Sequence, residues 1–111
     1  MKKKKIDSYL GFARKAGKLS AGTDTCMNLG KQGKLKLLII TEDMAGGSAE
    51  KLERMAASEK IPYRRYGEAD HIARMTGWPG RAVFGVTEDG FASVIAEAID
   101  EELRREKEVL V

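Results

Sequence analysis

One stretch restricts this chain more than any other: Leu35-Lys36-Leu37-Leu38-Ile39-Ile40-Thr41. Successive side chains of a strand point to opposite sides of its sheet, so four consecutive apolar residues leave no face for water. Such a strand is stable only with packing layers on both sides. Ala82-Val83-Phe84-Gly85-Val86 repeats the pattern. Helical and strand-like segments alternate around these two runs. With 111 residues the chain has room for one domain and one core. The expected fold is therefore α/β: a three-layer α-β-α sandwich around a four-stranded mixed sheet.

Local signals place five helices and four strands. Asp7 or Ser8 can cap a first helix carrying Tyr9, Leu10, Phe12 and Ala13, and Gly17 can end it. Lys18–Ala21 reads as a short strand. A second helix runs from about Thr23 to Lys31, burying Cys26 and Leu29, with Gly33 closing it. Ser48 is placed to cap a third helix whose inner face is Ala49, Leu52, Met55 and Ala56. Pro62 breaks the pattern, and Tyr63–Tyr66 reads as a strand. Ala69–Met75 is a short helix with Ile72 and Ala73 inward, followed by the loop Gly77-Trp78-Pro79-Gly80. Asp89-Gly90 turns the chain into a last helix, where Phe91, Val94, Ile95, Ala98 and Ile99 recur at amphipathic spacing. Fraying is expected over 104–111, and a solvated basic tail over 1–5.

Charge is spread unevenly. Residues 1–36 carry ten Lys or Arg against two Asp, residues 37–87 seven of each sign, and residues 88–111 three basic against eight acidic residues. A basic first third points to a polyanionic partner, nucleic acid before any other. The longest apolar run, Leu37–Ile40, is far too short to span a bilayer. Met1-Lys2-Lys3-Lys4-Lys5 resembles the start of a signal peptide, but no apolar stretch of seven or more follows it. Cys26 is the single cysteine, which suits a reducing, cytoplasmic compartment. One Cys and one His do not make a zinc site, and no metal or cofactor is expected.

Several constellations carry both a functional and a plain reading. Gly22–Lys34, GTDTCMNLGKQGK, opens with what looks like a helix entry whose first amides lack partners, an end that attracts anions. Cys26 in the first turn invites a nucleophile reading with His71 as base; the plainer reading is a small apolar residue on the buried face. Glu42-Asp43 follows the central strand, where Mg²⁺ can be held; the plainer reading is a loop and cap pair before the third helix. Trp78 can stack on a base or cover the sheet end. Arg64 and Arg65 alternate faces, and solvation is the plainer fate of both. No Gly-x4-Gly-Lys-Ser/Thr or Gly-x-Gly-x-x-Gly motif occurs.

The ordered succession GKLSAGTD, KLLIITED, KIPYRR and RAVFGVTEDGFA resembles the ribosomal protein L7Ae/L30e/Gadd45-like superfamily, and within it the small bacterial branch called YlxQ-like. The resemblance covers Ile6–Ile99. It implies an α-β-α sandwich that binds RNA, typically a kink-turn with tandem sheared G·A pairs, and no catalysis. It also implies that RNA is read by the start of the second helix and by the loop before the last strand. Gly22 and Thr23 match the first two positions of that helix pattern. Asp24 stands where Asn is usual, Thr25 where Glu is usual and Asn28 where Lys is usual. Ionised Asp24 cannot donate to guanine acceptors, Thr25 is short, and Asn28 donates without charge, so a standard kink-turn should bind weakly.

The expected partner is structured RNA, ribosomal or ribosome-associated, bound by a monomer. Backbone amides at Gly22, Thr23 and Asp24 would contact phosphate. Arg14, Lys15, Lys18, Lys31 and Lys34 would supply the surrounding field. Thr25 and Asn28 would face bases, and Gly77, Trp78, Pro79, Gly80 and Arg81 would cover an extruded nucleotide. A protein-interaction module on the same fold, docking through the acidic last helix, is the alternative. A small enzyme using Glu42/Asp43 or Cys26 is the third reading.

Overall fold

The computed structural model describes residues 4–110. Its elements run α1 (Lys5–Lys15), β1 (Leu19–Ala21), α2 (Thr23–Lys31), β2 (Leu37–Ile40), α3 (Gly46–Ser58), β3 (Tyr63–Arg65), α4 (Ala69–Thr76), β4 (Val83–Val86) and α5 (Asp89–Leu110). Of the expected basic tail, residues 1–3 lie outside the described residues, and Lys5 already belongs to α1. Residues 104–110 are helical, and Val111 lies outside the described residues.

The strands form one sheet in the order β1-β4-β2-β3. β4 pairs antiparallel with both β1 and β2, and β2 pairs parallel with β3, so the sheet is mixed. The two apolar runs are its inner strands, and every residue of β2 and β4 is buried. Their side chains alternate between two clusters. Leu37, Ile39, Phe84 and Val86 meet Ile6, Leu10 and Ala13 of α1, Ile72 of α4, and Ala92, Ile95 and Ile99 of α5. Leu38, Ile40 and Val83 meet Cys26 of α2 and Ala49, Leu52, Met55 and Ala56 of α3. Full burial of each large aliphatic side chain contributes about 1.5–3 kcal/mol. Gly85 lets the α2–α3 layer close onto β4: a Cβ there would stand 2.5 Å from Leu35 Cδ2 and 3.3 Å from Cys26 Sγ.

Three helix starts differ from expectation. α1 begins with Lys4 at its N-cap, so Asp7 is not a cap. Asp7 is instead buried, its carboxylate 3.0 Å from His71 Nε2 on α4. Helix α3 begins at Gly46 with Ala45 at the N-cap, which leaves Ser48 exposed inside the first turn. At α5 the Glu88 carboxylate accepts from the amides of Gly90 at 2.7 Å and Phe91 at 2.9 Å, so the helix absorbs the expected turn. Its buried stripe is Ala92, Ile95 and Ile99, with Val94 exposed. Leu29 is half-buried at the margin of its cluster.

Candidate functional site

β1 delivers the chain to Gly22 opposite the start of β4. Gly22 has φ 107° and ψ 148°, a conformation that side-chain-bearing residues rarely adopt. Its N–H donates to Val83 O at 3.0 Å, and its carbonyl accepts from Cys26 N–H at 3.0 Å. The expectation that the Gly22 amide contacts a ligand is thus corrected: the sheet already uses that donor. The open donors are the amides of Thr23, Asp24 and Thr25, the first three helical residues. None of them meets an acceptor among the described residues. Arg81 lies against this helix start, its Nη1 3.5 Å from where a Cβ on Gly22 would stand. The side chains of Asp24, Thr25 and Asn28 are exposed, while Cys26 and Gly30 form the buried side of α2.

The loop before β4 is tied down at one end. Gly77 caps α4 in the left-handed conformation and donates to Ala73 O at 2.7 Å. Trp78 is half-buried and packs on the α1–α4–α5 cluster, so it covers the sheet end. The Arg14 guanidinium carbon lies 3.5 Å from the Trp78 ring centroid, and its Nη1 donates to Thr76 O at 2.8 Å. Arg14 is therefore a strut between α1 and the loop rather than a free cation. Pro79, Gly80 and Arg81 are exposed.

Lys15, Lys18, Lys31 and Lys34 are all exposed, but the expected single field is split. Lys18 O accepts from Thr87 N–H, just past the end of β4, whereas Gly22 binds Val83 at its start. The two points are about 13 Å apart along the strand. The nine residues of α2 then carry the chain back by about 13 Å, so Lys31 and Lys34 join Lys18 at the far end. Lys36 is there too, its N–H on Val86 O. This reversal follows from the β-turn-α connection and is invisible to a count of charges along the sequence.

Two shallow grooves flank α2. Ser20, Leu29, Gly33, Lys34, Lys36 and Thr87 line one. The other, between α2 and α3, is lined by Lys31, Lys51, Arg54, Met27, Met55, Ser58 and Glu59. Lys51 and Arg54 have no role in the sequence-based expectation. The available signal is their i, i+3 spacing, which puts two cations on one side of α3.

Cys26 takes its plainer reading, and the other candidates serve the fold. The Cys26 thiol is fully buried, and burial pushes it up to about 12. It is no nucleophile at neutral pH. His71 is bound to Asp7 in the opposite layer. Asp43 belongs to the loop after β2 but does not cap α3: its carboxylate accepts from Ala69 N–H at 3.2 Å, at the first turn of α4, while Ala45 starts α3. Among the described residues, no group of three or more His, Cys, Asp or Glu is arranged to hold a metal. Arg64 and Arg65 are not simply solvated. Arg64 grips Asp100 with bonds of 2.7 and 3.1 Å, and Arg65 donates to the carbonyls of Thr41 and Glu42. No helix among the described residues is long and apolar enough to cross a membrane.

Residues 4–97 match the ribosomal protein L7Ae/L30e/S12e/Gadd45 family, a span of most of the chain. The chain belongs to that family. Its relatives include the RNA-binding protein YlxQ of Bacillus subtilis (strain 168), 30% identical over 91 residues that cover 82% of this chain and 91% of the relative. The RNA-binding protein YlxQ of Enterococcus faecium is 28% identical over 99 residues, covering 88% and 94%. A solved structure of a protein with unknown function from Bacillus halodurans C superposes with a TM-score of 0.85 at 30% identity, covering 88% of this chain and 99% of that one. The Giardia lamblia 15.5kD RNA binding protein superposes at 0.69 with 18% identity, covering 86% and 82%, which supports the fold alone. The chain is thus a YlxQ-like member of the superfamily, with the α-β-α sandwich that its sequence implies.

Proposed function

We propose that this protein binds structured RNA, ribosomal or ribosome-associated, at the N-terminal end of α2 and the loop over Gly77–Arg81. One observation carries the reading: Gly22 starts a helix whose first three amides, of Thr23, Asp24 and Thr25, meet no acceptor among the described residues and lie beside exposed Arg81. Such a pair of features binds phosphate oxygens. The names of the YlxQ relatives support RNA as the source of that phosphate. Thr25 and Asn28 face bases from the exposed side of α2, and Pro79 and Arg81 border an extruded nucleotide. The protein works as a monomer, without cofactor and without catalysis.

Within this reading a standard kink-turn is a poor ligand, because Asp24 sets a negative charge beside the phosphates and Thr25 and Asn28 forgo two base contacts. Each good base contact is worth about 1–3 kcal/mol. The test is a titration of the protein, and of its Asp24→Asn, Thr25→Glu, Asn28→Lys variant, against a kink-turn duplex and a G·A-disrupted control at fixed salt. The triple variant should gain G·A-dependent affinity, by a few kcal/mol at most. Absence of any gain would mean that bases are not read from this end of the helix. Tight G·A-dependent binding by the unmodified protein would mean that Asp24, Thr25 and Asn28 suffice. The interaction-module reading has less support, since Asp100, Glu101 and Glu102 of the acidic helix pair with Arg64, Arg105 and Lys4 within the chain.

A further inference from the structure

The groove between α2 and α3 lies on the same layer as the open amides but plays no part in the site proposed above. Its cations come from two helices: Lys31 from the last turn of α2, Lys51 and Arg54 from the middle of α3. All three are exposed, and none forms an ion pair among the described residues. Met27 and Met55 supply an apolar floor on which long cationic stems can lie. The groove is continuous with the helix start. Asp24, Asn28 and Lys31 follow one another at i, i+4 and i+7 along one stripe of α2, which runs about 10 Å from the open amides to the groove. That distance equals roughly three nucleotide steps along a duplex axis.

Resting on the RNA-binding reading, we infer that the α2–α3 groove is a second contact, in which Lys31, Lys51 and Arg54 hold the phosphates of a duplex stem leading away from the nucleotides at the start of α2. A small anion suits this groove less well. The three cations are spread over two helices, and the floor offers methionines rather than converging donors. A charged backbone needs point charges along a track, and flexible lysine and arginine side chains provide them without reading sequence. Lys51 and Arg54 thereby contribute affinity but no G·A preference.

The test compares the unmodified chain with Lys51→Gln/Arg54→Gln, and with Lys107→Gln on α5, which packs on the opposite face of the sheet. Each is titrated from low to moderate salt against a kink-turn duplex with a long stem and against its G·A-disrupted control. The groove variant should flatten the slope of log K against log salt by roughly two units and weaken both RNAs by the same factor. Its thermal unfolding should match that of the unmodified chain, because both side chains are exposed. Lys107→Gln should leave the slope unchanged. An unaltered slope in the groove variant, with normal binding by the unmodified chain, overturns this inference and leaves the RNA reading standing. Equal flattening by Lys107→Gln overturns it too, since the effect would then be one of net charge. Failure of the unmodified chain to bind either RNA overturns both.

Discussion

On the α1–α4–α5 layer several charged side chains meet partners inside the chain, whereas the cations of α2 and α3 meet none among the described residues. Lys4 bonds Glu102 at 2.8 Å, Arg64 bonds Asp100 at 2.7 Å, His71 meets Asp7 at 3.0 Å, and Arg14 stacks on Trp78. Lys31, Lys34, Lys51 and Arg54 have no such partner among the described residues. The contrast separates two uses of charge. Where a carboxylate is buried, as at Asp7, a partner is needed for the fold itself. Where cations stay exposed and unpaired on the layer that also carries bare amides, they are free to meet a ligand.

The largest effect is expected from His71→Ala. It leaves the buried Asp7 carboxylate without its partner and should cost up to about 3 kcal/mol, discounted because the imidazole is itself partly exposed. Lys31→Ala in the same denaturant series should stay within about 0.5 kcal/mol of the unmodified chain. Equal losses in the two variants would erase the distinction between the layers. Next comes Gly22→Ala, which forces a side chain into a glycine conformation and should cost about 1–3 kcal/mol. Retained stability there would mean that α2 can start without the geometry that exposes its amides.

The inner strands were legible because four apolar residues in a row admit one environment, and Leu37–Ile40 occupies it. The inner faces of α2 and α3 were legible for the same reason: Cys26, Leu52 and Ala56 fall on the helical period. Helix starts were not. Asp7 and Ser48 are good capping types, yet burying Ile6 on α1 and Ala49 on α3 shifts the helix ends past them. Of the candidate site, the proximity of its two segments was legible, since Gly22 and the loop at 77–81 do meet through Arg81. Its parts were sorted wrongly where tertiary contacts decide. Nothing local in Arg14 announces a stack on Trp78, 64 positions away, and nothing in Lys18 announces that it lies at the other end of β4.

Two smaller effects sharpen the picture. Cys26→Ala should cost about 1 kcal/mol through a small cavity and leave RNA binding intact. Thiol labelling of the native chain at neutral pH should be slow, because burial holds the thiol near 12. Fast labelling with a measurable turnover would revive the enzyme reading. The smallest effect is at Asp100, whose carboxyl the Arg64 hydrogen bonds hold below the ordinary value of 3.8. Its stabilisation is present above that pH and is lost as the pH falls through the lowered value. Asp100→Asn should therefore reduce stability by a few tenths of a kcal/mol at neutral pH, the pair being half-exposed, with the two unfolding curves converging in acid. A constant gap down to low pH would show that the pair is not the cause.

Whether the α2–α3 layer is the RNA-binding face is decided by the salt dependence of RNA affinity in three single charge reversals. Arg81→Glu sits at the open amides, Lys31→Glu at the end of α2, and Lys107→Glu on the opposite layer. The unmodified chain should bind less tightly, and steeply so, as salt rises. Arg81→Glu and Lys31→Glu should each flatten the slope by roughly one unit for every phosphate they no longer neutralise, and Lys107→Glu should leave it unchanged. Binding that ignores salt, or a slope that responds only to Lys107→Glu, would contradict the account.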